Sequence, residues 1–397
     1  MANQPKYKVV IVGGGTAGIT VAAQLAKRIS ASDIAIIDPA SNHYYQPLWT
    51  LVGAGIVPKE VTRRSEASLI PNGVQYIQDA VESFEPEKQN VVTRKGSQIS
   101  YDYLVVCPGL QLDWNKVKGL QESIGKNGVV SNYAYEYVES TWQALKHFKG
   151  GNAVFTQPNT PIKCGGAPQK IVYLADDVLR ERGVRDKTNI MFFHAGKSIF
   201  GVERYAKTLR QVIERKKIDV HFQMNLVEIR GDQKEAVFEH LETKETQVVS
   251  YEMIHVTPPM SAPDFIKKSP LTNEAGWIEV DKFTLQHTRH ENIFALGDAA
   301  GLPTSKTGAA IRKQAPVVVA NLLSLMQNKP LTAKYDGYTS CPLVTGKGKL
   351  VLAEFDYNNN PRETFPFDQS KERISMYLLK KHMLPMFYWH GMLKGRM

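Results

Sequence analysis

Residues 7–12, Tyr-Lys-Val-Val-Ile-Val, run straight into Gly13-Gly14-Gly15-Thr16-Ala17-Gly18. The first stretch is apolar and rich in β-branched residues, as a buried parallel strand requires. The second is a GxGxxG. Beyond it Ile19, Ala22, Ala23 and Ala26 recur on one helical face, and residues 33–37 form a second strand ending in Asp38. Strand, glycine loop, helix, strand and acid in that order predict a dinucleotide-binding βαβ unit. Gly13 allows the tight turn, Gly15 lets the backbone approach a pyrophosphate, and Gly18 lets the helix pack on the strand. Thr16 and Ala17 open the helix, whose N-terminus faces the phosphates, while Asp38 reaches ribose hydroxyls.

The rest of the chain bounds this reading. Its 397 residues suffice for two to three domains. With 43% hydrophobic and 22% charged residues it is neither disordered nor fibrous. No run approaches the ~18 apolar residues of a spanning helix; the longest candidate, residues 317–326, is interrupted by Asn321 and Ser324. Lysine and arginine number 49 against 39 acids, a net +10 that suits anionic surfaces or cofactors. Residues 1–32 hold four basic residues and no acid, which mimics a transit peptide. Because residues 8–12 feed a cofactor loop, the start is read as mature protein. No solenoid repeat or low-complexity tract is present. The three cysteines, Cys107, Cys164 and Cys341, are too few for a secreted disulfide scaffold and form no CxxC.

A second motif identifies the dinucleotide. Asn292-Ile293-Phe294-Ala295-Leu296-Gly297-Asp298 is a short apolar strand ending in Gly-Asp. It resembles the flavin-closing segment of two-dinucleotide-domain flavoproteins, whose aspartate binds the ribityl chain. Residues 101–109, ending in Cys107-Pro108-Gly109, resemble that family's intermediate segment. The resemblance implies FAD, held non-covalently since residues 38–50 contain no cysteine. It implies an α/β fold of two Rossmann-like domains. The FAD domain is expected in two segments, 1–120 and 262–330, around an inserted domain, 121–261, with a C-terminal segment, 331–397.

The insert repeats the strand–helix–strand order at residues 189–193, 202–216 and 218–222. Its loop reads His194-Ala195-Gly196-Lys197-Ser198-Ile199-Phe200-Gly201, without the three-glycine fingerprint. Phe200 would crowd a pyrophosphate, so NAD(P)H is a poor electron donor here.

Cys164 lies in Ile162-Lys163-Cys164-Gly165-Gly166-Ala167-Pro168, just before a helix expected over about residues 169–182. A thiol at a helix N-terminus beside Lys163 should have a lowered pKa and react as thiolate. Cys341 follows 177 residues later in Tyr338-Thr339-Ser340-Cys341-Pro342-Leu343-Val344-Thr345-Gly346. Residue types and spacing alone reach an FAD enzyme with a thiol pair. These two motifs, with HYYQPLWTLVGAG (residues 43–55) and LAEFDY (residues 352–357), resemble sulfide:quinone oxidoreductases, in the branch containing the mitochondrial enzyme.

That resemblance covers nearly the whole chain. It implies catalysis by Cys164 and Cys341, bridged through two or three sulfurs, with Cys341 carrying the persulfide and Cys164 meeting the flavin. The cofactor contacts are then Gly13, Gly15, Thr16, Ala17, Gly18, Asp38, Gln46, Val81, Pro108, Gly109, Asp298 and Lys306. Lys306 would stabilise reduced flavin, Lys347 would line the quinone side, and Cys107 is given a structural role. Implied partners are sulfide, a membrane quinone, a small sulfur acceptor and a membrane surface; a homo-oligomer stays open. Two rivals are a type II NADH:quinone oxidoreductase and the flavoprotein subunit of a flavocytochrome sulfide dehydrogenase. The first predicts an intact second fingerprint and no cysteine pair. The second needs a haem partner, since this chain lacks CxxCH.

Residues 370–397 carry six Lys/Arg and one acid, Glu372. Ile374, Tyr377 and Leu378 are expected on one face, and Pro385 is expected to break the helix. Basic residues mixed with Met386, Phe387, Tyr388 and Trp389 suit an interfacial, monotopic segment. Lipid explains this cluster better than nucleic acid, so no nucleic-acid partner is expected. The tail is also expected to be separable from the sulfide half-reaction.

Overall fold

The computed structural model describes residues 5–397. The first sheet is built on β1 (Lys6–Val12), whose last four residues are buried. Its other strands are β2 (Ile34–Ile37), β3 (Gln75–Ile77), β4 (Val81–Glu85), β5 (Asn90–Thr93) and β6 (Gln98–Val106). They lie in the order β3-β2-β1-β6-β5-β4. The β3-β2-β1-β6 part is parallel, and β4 and β5 form an antiparallel excursion from β6. Helix α1 (Thr16–Leu25) crosses from β1 to β2, burying Ile19, Val21, Ala22 and Leu25. Unbroken apolar strands with a helix-covered face are what a parallel sheet requires.

The chain then leaves for a second sheet. Strands β7 (Val129–Val130), β8 (Gly151–Gln157), β9 (Thr188–His194), β10 (Asp219–Phe222) and β11 (Met253–His255) are all parallel, in the order β7-β11-β8-β9-β10. Helix α2 (Ala167–Glu181) links β8 to β9, and α3 (Glu203–Lys216) links β9 to β10. An antiparallel sheet of residues 224–250 extends this unit. The chain returns with β12 (Ile293–Ala295), which pairs with residues 104–106 of β6. Helix α4 (Gly308–Met326) then packs on α1.

The C-terminal part is not all tail. A hairpin of β13 (Thr339–Gly346) and β14 (Lys349–Phe355) packs on α2. After it come α5 (Ile374–Leu378), a π-helical turn (Leu379–Met383) and α6 (Leu384–His390). Pro385 therefore does not end the helix. It occupies the first turn of α6, where an amide hydrogen has no intrahelical partner to lose, and the π turn absorbs the change of register. Tyr377 departs from its expected face: it is buried, while Ile374 and Leu378 are exposed. No helix among the described residues is long and apolar enough to cross a membrane.

Candidate active site

The loop between β8 and α2 carries Cys164, and β13 carries Cys341. Their Sγ atoms lie 3.5 Å apart, beyond the ~2.05 Å of a disulfide, so this is a thiol pair in contact. Cys341 is fully buried and Cys164 is partly exposed. Cys164 has φ +59°, a left-handed conformation that a non-glycine residue adopts only when its surroundings hold it there. Two hydrogen bonds do so: its amide donates to Lys306 O at 2.8 Å, and its carbonyl accepts from Ala167 at 2.8 Å. Next to it, Gly166 has no room for a side chain, because a Cβ would fall 2.2 Å from Leu343.

The charges around the pair differ from the expectation. Lys163 turns away: its Nζ donates to Tyr133 O at 3.0 Å and lies 5.2 Å from the Trp49 ring centre. Lys170, in the first turns of α2, takes its place and donates to Cys164 Sγ at 3.3 Å. The Cys164 thiol is held well below its ordinary pKa by the Cys341 hydrogen bond and by Lys170 and Lys380. Cys341 is pushed up by its thiolate neighbour and by burial. Lys380, in the π turn, is buried and donates to Pro47 O at 2.8 Å. Burial and the nearby Lys170 lower its pKa to about 7. Neither Lys170 nor Lys380 was singled out from the sequence. Lys380 thus brings the tail into the electrostatic surroundings of the thiol pair.

The residues around the first glycine loop fit a dinucleotide. Gly13 sits at φ +108° with no room for a Cβ, and a Cβ on Gly18 would lie 1.8 Å from Gly13 O. At Gly15 and Gly109, by contrast, nothing lies within 4 Å of where a Cβ would stand, which leaves the loop open on its working side. Asp38 accepts from Gly14 N at 2.6 Å and from Ala40 N at 2.7 Å, keeping a second lone pair on each oxygen. Buried Glu66 has Oε1 without a partner, close to Gly14. Across the loop, the Asp298 carboxylate takes no hydrogen bond among the described residues and lies in the field of Lys306 and Lys163. Burial pushes its pKa up, and the lysines oppose that. Lys306 donates to Asp298 O at 2.6 Å and lies over Trp277. Burial brings its pKa down to about 8. Open glycines, a partnerless acceptor and a half-buried carboxylate facing lysines are what ribose, pyrophosphate and ribityl groups would use.

The other named residues are more scattered. Thr16 Oγ1 meets Tyr388 OH at 2.7 Å, and that hydroxyl also meets His43 Nε2 at 2.6 Å. Ala17 packs under Gly297, joining the two cofactor motifs. Pro108 comes two positions after the end of β6, behind Cys107. Gln46 is exposed in a short turn, and Val81 is buried at the start of β4. Cys107 is buried with Sγ 3.8 Å from Gly13 O, and burial pushes its thiol up. Lys347 lies away from the thiol pair. It lies in the hairpin turn paired with Glu181, and its amide donates to Asp177 at 2.7 Å. It follows Cys341 by six positions of strand and turn, roughly 20 Å of chain.

The second loop is filled from within. The His194 ring accepts from Gly196 N at 2.8 Å and occupies the space a Cβ on Gly196 would need. Burial lowers the His194 pKa to about 4, so the ring is neutral. Phe200 turns inward against Tyr205 and Phe355.

A profile of the family described as pyridine nucleotide-disulphide oxidoreductase matches residues 7–141 and 171–320. Together with the two parallel sheets and the cradle, it places the chain among the two-domain, FAD-dependent flavoprotein oxidoreductases. A mouse (Mus musculus) protein named sulfide:quinone oxidoreductase, mitochondrial, is 51% identical over 98% of this chain and 87% of its own length. A Dictyostelium discoideum protein of the same name is 51% identical over 98% of this chain and 86% of its own length. The chain belongs to the sulfide:quinone oxidoreductase family. In fold it resembles the solved sulfide:quinone oxidoreductase of Aquifex aeolicus, with a TM-score of 0.83 at 21% identity over 99% of this chain and 92% of that one.

Proposed function

We propose that this chain oxidises sulfide at Cys164 and Cys341 and delivers two electrons to a membrane quinone. The observation that carries the proposal is the thiol pair at 3.5 Å with Lys170 on one member only. In the oxidised pair, hydrosulfide attacks the Cys341 sulfur. The sulfur–sulfur bond breaks, a persulfide forms on Cys341, and Cys164 leaves as thiolate. The direction follows from leaving-group pKa, since the lower-pKa thiol leaves faster, and Cys164 is the one held low. A small sulfur acceptor then attacks the outer sulfur of the persulfide and frees Cys341. Re-forming the bridge releases two electrons and the thiol protons. When bound, FAD supplies the two-electron relay between the thiols and the quinone. Gly13, Gly15, Thr16, Ala17, Gly18, Asp38, Gln46, Val81, Pro108, Gly109, Asp298 and Lys306 would hold it, without a covalent link. Cys107 stays a structural thiol beneath the loop.

The FAD domain is assigned to residues 1–120 and 262–330, the inserted domain to 121–261, and the C-terminal part to 331–397. That part seats the protein on a membrane surface. Ile374, Leu378, Met383 and Met386 are 66, 48, 45 and 50% exposed. Burying four such side chains at about 1.5 kcal/mol each or more suffices for reversible attachment without a spanning helix.

Anaerobic sulfide addition tests the reading. Sulfide should bleach the flavin absorbance and a soluble quinone should restore it, while NADH does neither. Rapid bleaching by NADH with sulfide inert would overturn the proposal in favour of an NADH:quinone oxidoreductase. Acid precipitation should release the colour into the supernatant; colour kept in the pellet would mean a covalent link.

A further inference from the structure

The tail and residues 48–64 enclose a groove of about 330 Å³, within the roughly 300–1,000 Å³ of small-molecule sites. Four basic side chains line it, Arg64, Lys381, His382 and His390, and no carboxylate does. Some surface cations elsewhere are paired, Arg204 with Glu363, Arg215 with Glu372 and Lys234 with Glu252. Here, among the described residues, none of the four has an acidic partner within ion-pair distance. Arg64 is fixed against the groove wall, its guanidinium 4.3 Å over the Trp389 ring. The rest of the wall is apolar, and its rim includes Val61 and Met386, 52 and 50% exposed. Lys380, the neighbour of Lys381, is buried against Pro47 and is not among the lining residues.

An anionic head and an apolar body complement such a groove, whereas a neutral quinone ring leaves the charges of Arg64 and Lys381 uncompensated. We propose that it binds one anionic phospholipid, with the phosphate on Arg64 and Lys381 and the acyl chains along Val61 and Met386. This rests on the membrane-surface reading above and gives it a specific ligand. The tail would then be anchored by a single seated lipid as well as by its exposed apolar side chains.

The test compares the FAD-loaded protein with Arg64→Gln/Lys381→Gln on two vesicles, phosphatidylcholine alone and phosphatidylcholine with a minority of phosphatidylglycerol. Wild type should prefer the anionic vesicle, and the double variant should lose roughly tenfold or more of that preference. It should keep its flavin and its turnover of a soluble short-chain quinone. Lys394→Gln/Arg396→Gln removes equal charge from the same tail and should cost far less. Native mass spectrometry should find one phosphatidylglycerol on wild type and none on Arg64→Gln/Lys381→Gln, and excess inorganic phosphate should not displace it. Equal losses in the two double variants, or lipid retained by the first, would overturn the site in favour of diffuse attraction. Displacement by phosphate alone would do so too. Normal vesicle binding with lost quinone turnover would make the groove a quinone route. If wild type sediments equally with both vesicles, the site falls and the membrane reading stands; if it sediments with neither, both fall.

Discussion

Residues 13–18 and residues 194–201 turn the same corner, from a parallel strand to a helix, and do so in opposite ways. In the first loop the glycines press the backbone together on one side and leave it empty on the other. The second loop spends its space on its own side chains, with the His194 ring under Gly196 and Phe200 in the adjoining core. One frame thus carries a nucleotide seat in one half of the molecule and a closed corner in the other. Under the function proposed above, reduction begins instead at the thiol pair formed by Cys164, on the neighbouring loop after β8, and Cys341. Fold alone would have assigned both corners the same task.

The sharpest way to break this contrast lies in the cysteines. Cys164→Ser and Cys341→Ser should each slow sulfide-driven bleaching by about a thousandfold or more, with FAD still bound. Cys107→Ser, under the first loop, should stay within about twofold. Stopped-flow flavin absorbance decides it, and equal damage from Cys107→Ser would give that thiol a chemical role. Next in size is a matched pair of glycine substitutions. Gly18→Ala places a Cβ 1.8 Å from Gly13 O, whereas nothing lies within 4 Å of a Cβ on Gly201. Gly18→Ala should weaken flavin retention by roughly ten- to a hundredfold, as overpacking of 1–3 kcal/mol implies, and Gly201→Ala should leave it unchanged. The flavin-to-protein absorbance ratio after desalting reads both.

Lys170→Met should raise the pH at which Cys164 ionises, since an opposite charge in contact favours the thiolate. The ultraviolet absorbance of the thiolate against pH measures it, and an unmoved curve would show that Cys341 alone holds the thiol down. The mildest effect concerns His194. Its pKa is about 4 when folded, below its ordinary 6.5, so the unfolded chain takes up the proton first. Its contribution is therefore full above pH 6.5 and is lost as pH falls toward 4. On the order of 2 kcal/mol should go between pH 7 and pH 5, and His194→Gln should flatten that slope in denaturant melts. An unchanged slope would mean that the ring is not held neutral.

How legible the site was depended on how local its parts are. The glycine loop, Asp298 and the two cysteine motifs are contiguous stretches whose chemistry and spacing speak for themselves. Lys163 misled because adjacency in sequence is not adjacency in space. The Cα–Cβ bonds of a helix tilt toward its N-terminus, so a lysine in the first turns of α2 points back at the thiol while Lys163 diverges. That rule applied to Lys170 would have found it. Lys380 carries no such signal, being 39 residues beyond Cys341 and identified only by its burial. Pro385 was misjudged because a proline breaks a helix interior but not a first turn, and the π turn before it has no sequence mark.

The tail also sets an order of events during synthesis. Tyr388 bonds Thr16 across 372 residues, Lys27 donates to Gly395 O, and Gln24 donates to Met397 O. Helix α1 and the turn after it are therefore covered by residues about 370 positions further along the chain. Contacts of such sequence separation close late, because their loop entropy must be met before they contribute. Until then the face of α1 that carries Thr16 lacks its Tyr388 contact. Docking of residues 388–397 thus completes the cover over the helix that the glycine loop opens.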